Sequence, residues 1–229
     1  MKTIVIAGGL LASAALLSGC GLAAIGGPTN QDTVSYEVTD KVAKLRVKSE
    51  AGDTVITETG GNAIRVVETL QWRDTKPKAE HSVDGDTLFV RYDCERSWGS
   101  CSVNYKIEIP KGLQVDAETG SGDVTLRSLT GPLNVTAGSG DVDASDLAGK
   151  TVLAEVGSGN IELKYATAPD SAELEAGSGN VTLRVPDGAY NVKTEVGSGD
   201  ATVSVKNDPN SPRKVSLTAG SGDVSVMPG

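Results

Sequence analysis

The chain has 229 residues and a formal net charge of −9 at pH 7, with 28 glycines and only 3% aromatic residues. The excess of acidic residues argues against nucleic-acid binding, which needs a basic surface, and against a face lying flat on anionic lipid. Short runs of alternating Val and Thr, separated by glycines, indicate many strands and tight turns in one domain rather than helices.

The amino terminus has the layout of a signal peptide. Lys2 supplies a positive charge, and the run from Thr3 to Leu17 is apolar and dotted with small residues. This run is shorter than the roughly 20 apolar residues of a comfortable membrane span. It ends at Leu17-Ser18-Gly19-Cys20, which resembles the bacterial lipobox.

That resemblance implies that residues 1–19 are removed and that Cys20 carries lipid, which holds the protein on the extracytoplasmic side of the bacterial cell membrane. The alternative is an ordinary signal peptide cleaved elsewhere, with Cys20 as an incidental thiol. Lipid on Cys20 would also account for the odd count of three cysteines. Residues 20–32 are small and Gly-rich, and they are predicted to form a flexible tether spanning roughly 20 Å before a domain at 33–229.

The first part of the predicted domain is irregular. Residues 42–47, 54–57 and 63–67 alternate like strands and are interpreted as degenerate coils, with Ala51-Gly52-Asp53 as a corner. Residues 70–105 then interrupt the pattern and hold most of the bulky aromatic residues. We predict that they form an irregular, strand-rich insertion that covers one end of the fold, because a stack of repeats needs its ends covered.

Two tryptophans and two cysteines lie in this insertion. Trp72 and Trp98 are predicted to pack in the core, with a sugar- or peptide-binding platform as the alternative. Cys94 and Cys101 are predicted to form a disulfide, because exported proteins meet an oxidising environment. A redox-active pair is the alternative, although the spacing is not Cys-x-x-Cys.

The strongest internal signal is a Gly-Ser-Gly triplet, which recurs six times within residues 113–229 and is followed each time by Asp or Asn. Glycine accepts the backbone conformations of a tight corner, and Asp or Asn can bond the local backbone. The predicted turn residues are Gly120, Gly122, Asp123, Gly138, Gly140, Asp141, Gly157, Gly159, Asn160, Gly177, Gly179, Asn180, Gly197, Gly199, Asp200, Gly220, Gly222 and Asp223.

The residues that flank each triplet alternate between apolar and polar, as in a strand with one buried face. Leu133, Val135 and Ala137 precede one triplet, and Val142 and Ala144 follow it. One such unit cannot bury its apolar side alone, whereas units stacked about 4.8 Å apart share a continuous core. We therefore predict an all-β, single-domain β-solenoid whose corners lie in line. A meander of hairpins is the alternative, since hairpins also use Gly-rich turns.

These features resemble the bacterial putative-adhesin family, a group of β-strand-repeat proteins of unknown function with recurrent Ser-Gly-Asp-Val turns. The resemblance is carried by Ser121 to Val124 with its five relatives and by the step Ile109-Pro110, and it spans about residues 42–226. It implies a β-repeat architecture and a role at the cell surface. It supplies no catalytic motif.

We predict a non-catalytic adhesion, interaction or structural module of the cell envelope, without a cofactor or resident metal. Its expected partners are the membrane, through Cys20, and an unidentified envelope protein or glycan. His81 is the one histidine in the sequence, so a Ser-His-Asp triad would have to use it. It lies in the charged stretch 76–86, which is typical of solvated surface.

Two alternatives stay open. One is a polysaccharide-cleaving enzyme that uses paired carboxylates, although no pair stands out from the repeat background. The other is calcium-stabilised folding, because stacking would align acidic residues whose mutual repulsion cations could relieve. The aligned residues would be Asp123 and Asp141 on one edge and Glu155, Glu175 and Glu195 on a strand face. Lys164 and Arg184 could offset these carboxylates instead.

Overall fold

The computed structural model describes residues 30–94 and 100–229, and their regular structure consists of strands. No helix within these ranges is long and apolar enough to cross a membrane. The strands are β1 (Asn30–Val38), β2 (Lys44–Ala51), β3 (Thr54–Glu58), β4 (Ile64–Trp72), β5 (Lys78–Asp84), β6 (Thr87–Asp93), β7 (Cys101–Ile109), β8 (Gln114–Ser121), β9 (Val124–Arg127), β10 (Leu133–Ser139), β11 (Val142–Leu147), β12 (Thr151–Ser158), β13 (Ile161–Tyr165), β14 (Ser171–Ser178), β15 (Val181–Val185), β16 (Ala189–Ser198), β17 (Ala201–Val203), β18 (Lys206–Asn207), β19 (Lys214–Ser221) and β20 (Val224–Pro228).

The strands form two ten-stranded sheets that enclose one core. Sheet A has the order β1-β4-β7-β3-β9-β11-β13-β15-β20-β17, and sheet B has the order β18-β16-β19-β14-β12-β10-β8-β2-β6-β5. A strand of sheet B and the following strand of sheet A form one coil, which we call a rung. Neighbouring rungs pair in parallel, so the prediction of an all-β stack of short strands is confirmed.

The alternation in sequence becomes the boundary between core and solvent. Within β14, for example, Ala172, Leu174 and Ala176 are buried while Glu173 and Glu175 are exposed. Each inward residue lies beside the inward residue of the next rung, as Leu174 lies beside Leu217. A single apolar column therefore runs the length of the stack, although each rung contributes only a few side chains.

The rungs do not stack in sequence order at the carboxyl-terminal end. The last repeat, β19 and β20, pairs with β14 and β15 on one side and with β16 and β17 on the other. The penultimate repeat is therefore the terminal rung. Residues 204–213 connect the two, and they include β18, which pairs with the start of β16.

Composition explains this exchange. The inserted rung has Leu217 at the inward position where the terminal rung has Thr194, and these two residues are register partners. An interior rung is covered on both sides, so the more apolar segment gains more from that position. Val226 is fully buried, whereas its register partner Val203 is 37% exposed.

In the amino-terminal part, one pair of the predicted coil strands forms a regular rung and the third predicted coil strand does not. β2 and β3 form a rung whose corner is Ala51-Gly52-Asp53, and Ala51 is in register with Ser121. Residues 63–67, in contrast, belong mostly to β4, which is antiparallel to both its neighbours. The interpretation of residues 63–67 as a coil was wrong. An antiparallel strand and a strand of a coil show the same alternation of apolar and polar residues, so this pattern does not separate them.

Residues 70–105 were expected to interrupt the repeat, yet β6 and β7 form a rung in parallel register with β2 and β3. Antiparallel strands cover this end, and one of them, β5, belongs to residues 70–105. β1 and β4 extend sheet A, and β5 extends sheet B. These antiparallel strands cover the last parallel rung, and we call this end of the stack the closed end.

The predicted tether 20–32 extends too far, because Asn30, Gln31 and Asp32 already pair with β4. The signal peptide, Cys20 and the rest of the tether lie outside the described residues, as does Trp98. Trp72 is partly buried against the core, and the Lys76 ammonium lies 5.4 Å from its ring centroid. Its contacts agree with core packing.

A disulfide joins Cys94 to Cys101, with their Cα atoms 6.2 Å apart. It connects the end of β6 to the start of β7, which is the place where the other rungs have their glycine corners. The rung of β6 and β7 has neither a Gly-Ser-Gly triplet nor a counterpart of Ala51-Gly52-Asp53 at this corner. The disulfide holds its two strands together there instead.

We expect the double variant Cys94→Ser with Cys101→Ser to lose about 2–3 kcal/mol of unfolding free energy, because the bond limits the unfolded chain. Urea unfolding of both proteins, with reduced wild type as a control, measures this loss. Equal midpoints for the oxidised wild type and the double variant would contradict it.

Candidate functional site: the corner column and its adjoining faces

The six predicted corners form one column along an edge of the stack. The central serines of the triplets are register partners from rung to rung, as Ser121 is with Ser139 and Ser139 with Ser158. The column continues through the inserted last repeat, where Ser221 lies between Ser178 and Ser198. Hairpins would have scattered these corners, so the meander alternative is wrong for the repeats.

The two glycines of each triplet are needed for different reasons. A Cβ on the first glycine of a triplet would meet the backbone of the preceding rung; at Gly157 it would lie 2.6 Å from the carbonyl oxygen of Gly138. The second glycine has positive φ as well, and at Gly159 φ is 140° and a Cβ would lie 2.1 Å from the oxygen of Gly140. At these two glycine positions the neighbouring rungs are therefore too close for a side chain.

Except in the terminal rung, the side chain of the Asp or Asn after each triplet bonds the next rung rather than its own turn. The Oδ1 atom of Asp123 accepts the backbone N–H of Asp141 at 2.9 Å, and Oδ1 of Asp141 accepts that of Asn160 at 2.7 Å. The same bond links each later pair of rungs, from Asn160 to Asn180, from Asn180 to Asp223 and from Asp223 to Asp200, each at 2.9 Å. We call this series the corner ladder.

The corner ladder explains why Asp and Asn interchange at these positions. Both side chains offer an Oδ1 acceptor, and that is the atom used. A carboxylate that receives a backbone N–H makes a stronger, charge-assisted bond than an amide does. The carboxamide of Asn160 adds a second bond, from Nδ2 to Oδ1 of Asp141 at 3.1 Å.

The ladder extends beyond the six triplets. Oδ1 of Asp53 accepts the N–H of Asp123 at 3.1 Å, and Oδ1 of Asn104 accepts the N–H of Asp53 at 2.9 Å. The sequence marked Asp53 through its neighbouring glycine, but Asn104 has no such marker. Asn104 was missed because the disulfide-closed rung has no Gly-Ser-Gly triplet.

These bonds bear on the calcium hypothesis. The corner carboxylates already act as acceptors for backbone N–H groups, and within the described residues no group of three or more His, Cys, Asp or Glu side chains could hold a metal ion. On the strand face Glu155 and Glu175 are register partners, as expected. Glu195 is not next to them, because Thr218 of the inserted rung lies between.

The positive charges that were expected to offset those glutamates lie on the other sheet. Lys164 and Arg184 are neighbours in sheet A, whereas Glu155 and Glu175 are in sheet B. Arg184 instead approaches Glu162, with 3.6 Å between Nε and Oε1.

An acidic groove borders the corner column on sheet A. Asp143 and Glu162 are register partners there, and each is paired with an arginine: Arg127 with Asp143 and Arg184 with Glu162. We call this surface the corner groove, and its lining residues are Asp141, Val142, Asp143, Asn160, Ile161, Glu162, Asn180 and Thr182.

Aromatic rings and a buried glutamate lie at the closed end of the stack. The ring of Tyr36 on β1 stacks on that of His81 on β5, with centroids 3.9 Å apart, and thereby bridges the two sheets. The Tyr36 hydroxyl donates to Oε1 of Glu68 at 2.8 Å, and Glu68 is only 3% exposed. His81 is exposed as expected, but its ring has a packing partner, and partial burial lowers its pKa.

Burial also raises the pKa of the Glu68 carboxyl above its ordinary 4.5, because the charged form loses hydration, and the bond from Tyr36 opposes that rise only in part. Burial raises the pKa of Tyr36 and Tyr105 in the same way, with the nearby Glu68 charge adding to both shifts. Among the residues that the structure describes, the hydroxyl of Tyr105 has no hydrogen-bond partner. The fold therefore favours the neutral forms of Glu68, Tyr36 and Tyr105.

A carboxyl with a higher pKa in the folded than in the unfolded state makes stability fall as pH rises from its unfolded pKa through its folded pKa. We expect Glu68→Gln to remove this contribution, so that its stability relative to wild type increases from pH 4.5 upwards. Melting temperatures across pH 4 to 8 measure it, with Glu173→Gln, an exposed position, as the control. A constant difference between Glu68→Gln and wild type across this range would be inconsistent with the raised pKa.

The family model of Toastrack DUF4097 matches residues 111–227, which is 117 of the 229 residues. The chain belongs to this family. The matched Toastrack region contains all six glycine triplets, and the closed end with its disulfide rung lies before it. Comparison with curated proteins gives no match.

A solved structure extends the likeness to the closed end. A "putative cell adhesion protein" from Clostridium sporogenes ATCC 15579 aligns over 87% of this chain and 99% of its own, with a TM-score of 0.55 and 15% identity. A "putative adhesin" from Bacteroides fragilis NCTC 9343 aligns over 89% of this chain and 100% of its own, with a TM-score of 0.47 and 19% identity. At 15% identity, the first of these shows a common fold for the Toastrack protein.

Proposed function

We propose that this Toastrack protein is a lipid-anchored, non-catalytic adhesion and scaffold module on the extracytoplasmic face of the bacterial cell membrane. The observation that carries the proposal is the regular stack itself. Backbone pairing and the corner ladder repeat at every rung, which gives a rigid body with polar faces of constant spacing. Such a surface suits the binding of an extended partner, because successive rungs present similar groups.

The comparisons with solved structures support the same proposal at a coarser level. The structurally similar proteins from Clostridium sporogenes and Bacteroides fragilis are described as adhesion proteins. The disulfide at Cys94 and Cys101 is typical of a protein outside the cytoplasm. Lipid on Cys20 would give such a protein a firm attachment, since two or more acyl chains hold far better than one.

Substitution of the proposed anchor tests localisation. In a bacterial host that processes lipoproteins, we expect full-length wild type to take up labelled palmitate and to fractionate with membranes. Cys20→Ser should lose the label and leave the membrane fraction. The double variant Cys94→Ser with Cys101→Ser is the matched control, because it removes two cysteines and leaves the proposed lipid site. Equal labelling of wild type and Cys20→Ser would refute the anchor.

Binding is tested with the full chain and insoluble cell-wall polymer. We expect wild type to co-sediment with the polymer and the variant Asp143→Asn with Glu162→Gln to bind more weakly, because both residues line the corner groove. Glu80→Gln, on β5 at the closed end, is the control and should bind like wild type. If wild type stays in the supernatant, the polymer is not its partner; equal binding by all three proteins would exclude the groove.

A further inference from the structure

The two ends of the stack differ. The closed end is covered by antiparallel strands. The other end finishes in the terminal rung of β16 and β17, and no further strand of residues 30–94 or 100–229 lies beside most of β16. Inward-facing apolar residues are incompletely covered there. Val203 is 37% exposed, and Val192, Val196 and Val205 are only partly buried. The core thus reaches the surface at this open end.

Within the described part of the chain, the outer edge of β16 also has backbone groups without a strand partner. The N–H of Asn191 donates to Arg213 in the connection to β19, and residues of a parallel strand bond alternately to its two sides. Thr194 and Val196 therefore direct their N–H and C=O groups away from β19. β18 pairs only with Ala189 and Tyr190, and the side chain of Asn207 bonds the backbone of Val192 at 3.1 and 3.4 Å.

The sequence of this edge is complementary to itself. Residues 192–196 read Val-Lys-Thr-Glu-Val, which is symmetric in character about Thr194 apart from the opposite charges. Lys193 and Glu195 point to solvent on the same face, and their Nζ and Oε1 atoms are 2.6 Å apart. Reversal of the strand about Thr194 exchanges the positions of the lysine and the glutamate and leaves the valines matched.

We propose that the open end binds a second copy of this chain, through antiparallel pairing of the two β16 strands about a two-fold axis at Thr194. Lys193 of each copy then lies opposite Glu195 of the other. These are non-hydrogen-bonded pairs, in which facing side chains are closest. The four charges alternate in sign around the axis, and the edge groups of Thr194 bond those of the second Thr194.

The same two-fold axis also allows the edge strands of sheet A, the two copies of β17, to pair with each other. Thr194 and Thr202 are each four residues from Ser198 at the corner, so they lie across the core from one another. Pairing of β17 about Thr202 sets Ala201 opposite Val203 of the second copy. The exposed inward residues of the two open ends then cover each other. The new pairing of β16 is confined to residues 192–196, because β18 already bonds Tyr190, and at Val192 the incoming Val196 displaces the amide of Asn207.

This pairing places the closed ends, each with its first described strand β1, at opposite ends of the dimer. Each stack contributes eight rungs, or roughly 35 Å at about 4.8 Å per step. Two membrane-attached copies could thus join two surfaces. That consequence rests on the proposed lipid anchor, whereas the pairing does not, and the pairing is tested without a membrane.

Charge exchange tests the proposal with the full chain in mild detergent, by analytical ultracentrifugation. Wild type is expected to dimerise, and Lys193→Glu or Glu195→Lys alone to weaken dimerisation about tenfold, because like charges then face each other. An equimolar mixture of the two single variants should form a heterodimer as strong as wild type. The variant K193E with E195K should also restore it, since each pair is reversed.

Thermal unfolding of each variant separates lost pairing from lost folding. Thr194→Cys adds a geometric check, since two copies of residue 194 meet at the axis and should form an intermolecular disulfide on oxidation. Thr136→Cys, exposed in the middle of sheet B, should not. A monomeric wild type at 0.1 mM, or a mixture of single variants that stays as weak as its components, would overturn the proposal.

Discussion

Replacement of Gly159 by alanine is expected to lower the free energy of unfolding by about 2–6 kcal/mol. Overpacking against a rigid backbone costs about 1–3 kcal/mol, and a non-glycine residue held at an unfavourable positive φ costs a similar amount. Both apply at Gly159, where φ is 140° and the new Cβ would lie 2.1 Å from the carbonyl oxygen of Gly140. Relief would require the two rungs to move apart and weaken the corner ladder beside them.

Gly60→Ala is the matched control, because a Cβ there would meet nothing within 4 Å and the backbone does not have positive φ. We expect its unfolding free energy to stay within about 0.5 kcal/mol of wild type. The unfolding free energy of Gly157→Ala should lie between those of Gly159→Ala and Gly60→Ala, because Gly157 has the close backbone contact without the positive φ. Chemical denaturation of the three variants gives the order. Equal stability of Gly159→Ala and Gly60→Ala would show that the corners do not stack as described.

Leu217→Ala is expected to destabilise the protein by about 2–5 kcal/mol, the usual cost of truncating a fully buried leucine. Leu217 belongs to the last repeat, yet it is 0% exposed because its rung is interior. Thr194→Ala, at the equivalent position of the terminal rung, should cost less than about 1 kcal/mol. In a stack built in sequence order Leu217 would lie in the terminal rung, and the difference between the two variants would be smaller. Denaturant unfolding at several protein concentrations measures both values and separates any effect of dimerisation.

Two valine-to-alanine substitutions compare the interior and terminal rungs without a difference in residue type. Val226 and Val203 are register partners, and only Val203 is exposed, at 37%. Val226→Ala should therefore be clearly more destabilising than Val203→Ala. If Val203→Ala costs as much as Val226→Ala, the terminal rung is covered by something other than solvent in the folded monomer.

Local patterns predicted the repeats well because each strand depends on few interactions. Apolar residues at alternate positions, such as Leu133 and Val135, define a strand with one buried face, and a Gly-Ser-Gly-Asp corner ends it. Those two signals were enough for the strand type, the position of the corners and their alignment. The disulfide of Cys94 and Cys101 was predicted on a separate ground, the oxidising compartment that the amino terminus implied.

The same patterns misled where neighbours decide the outcome. Residues 63–67 alternate as a coil strand would, but they pair in antiparallel fashion within β4. Residues 70–105 lack the glycine triplet, yet β6 and β7 complete a rung that the disulfide closes. The role of Asn104 in the corner ladder had no local marker, since it depends on which strand lies beside Asp53.

The sequence by itself determined the all-β architecture and the column of corners, because alternation and glycine geometry are properties of a short segment. Only the tertiary structure decided the order of the rungs. Every rung presents a similar edge to its neighbours, so local pairing cannot distinguish β19 from β16 as the partner of β14. The choice depends on which rung gains more from burial on both sides, and that comparison exists only in the assembled stack.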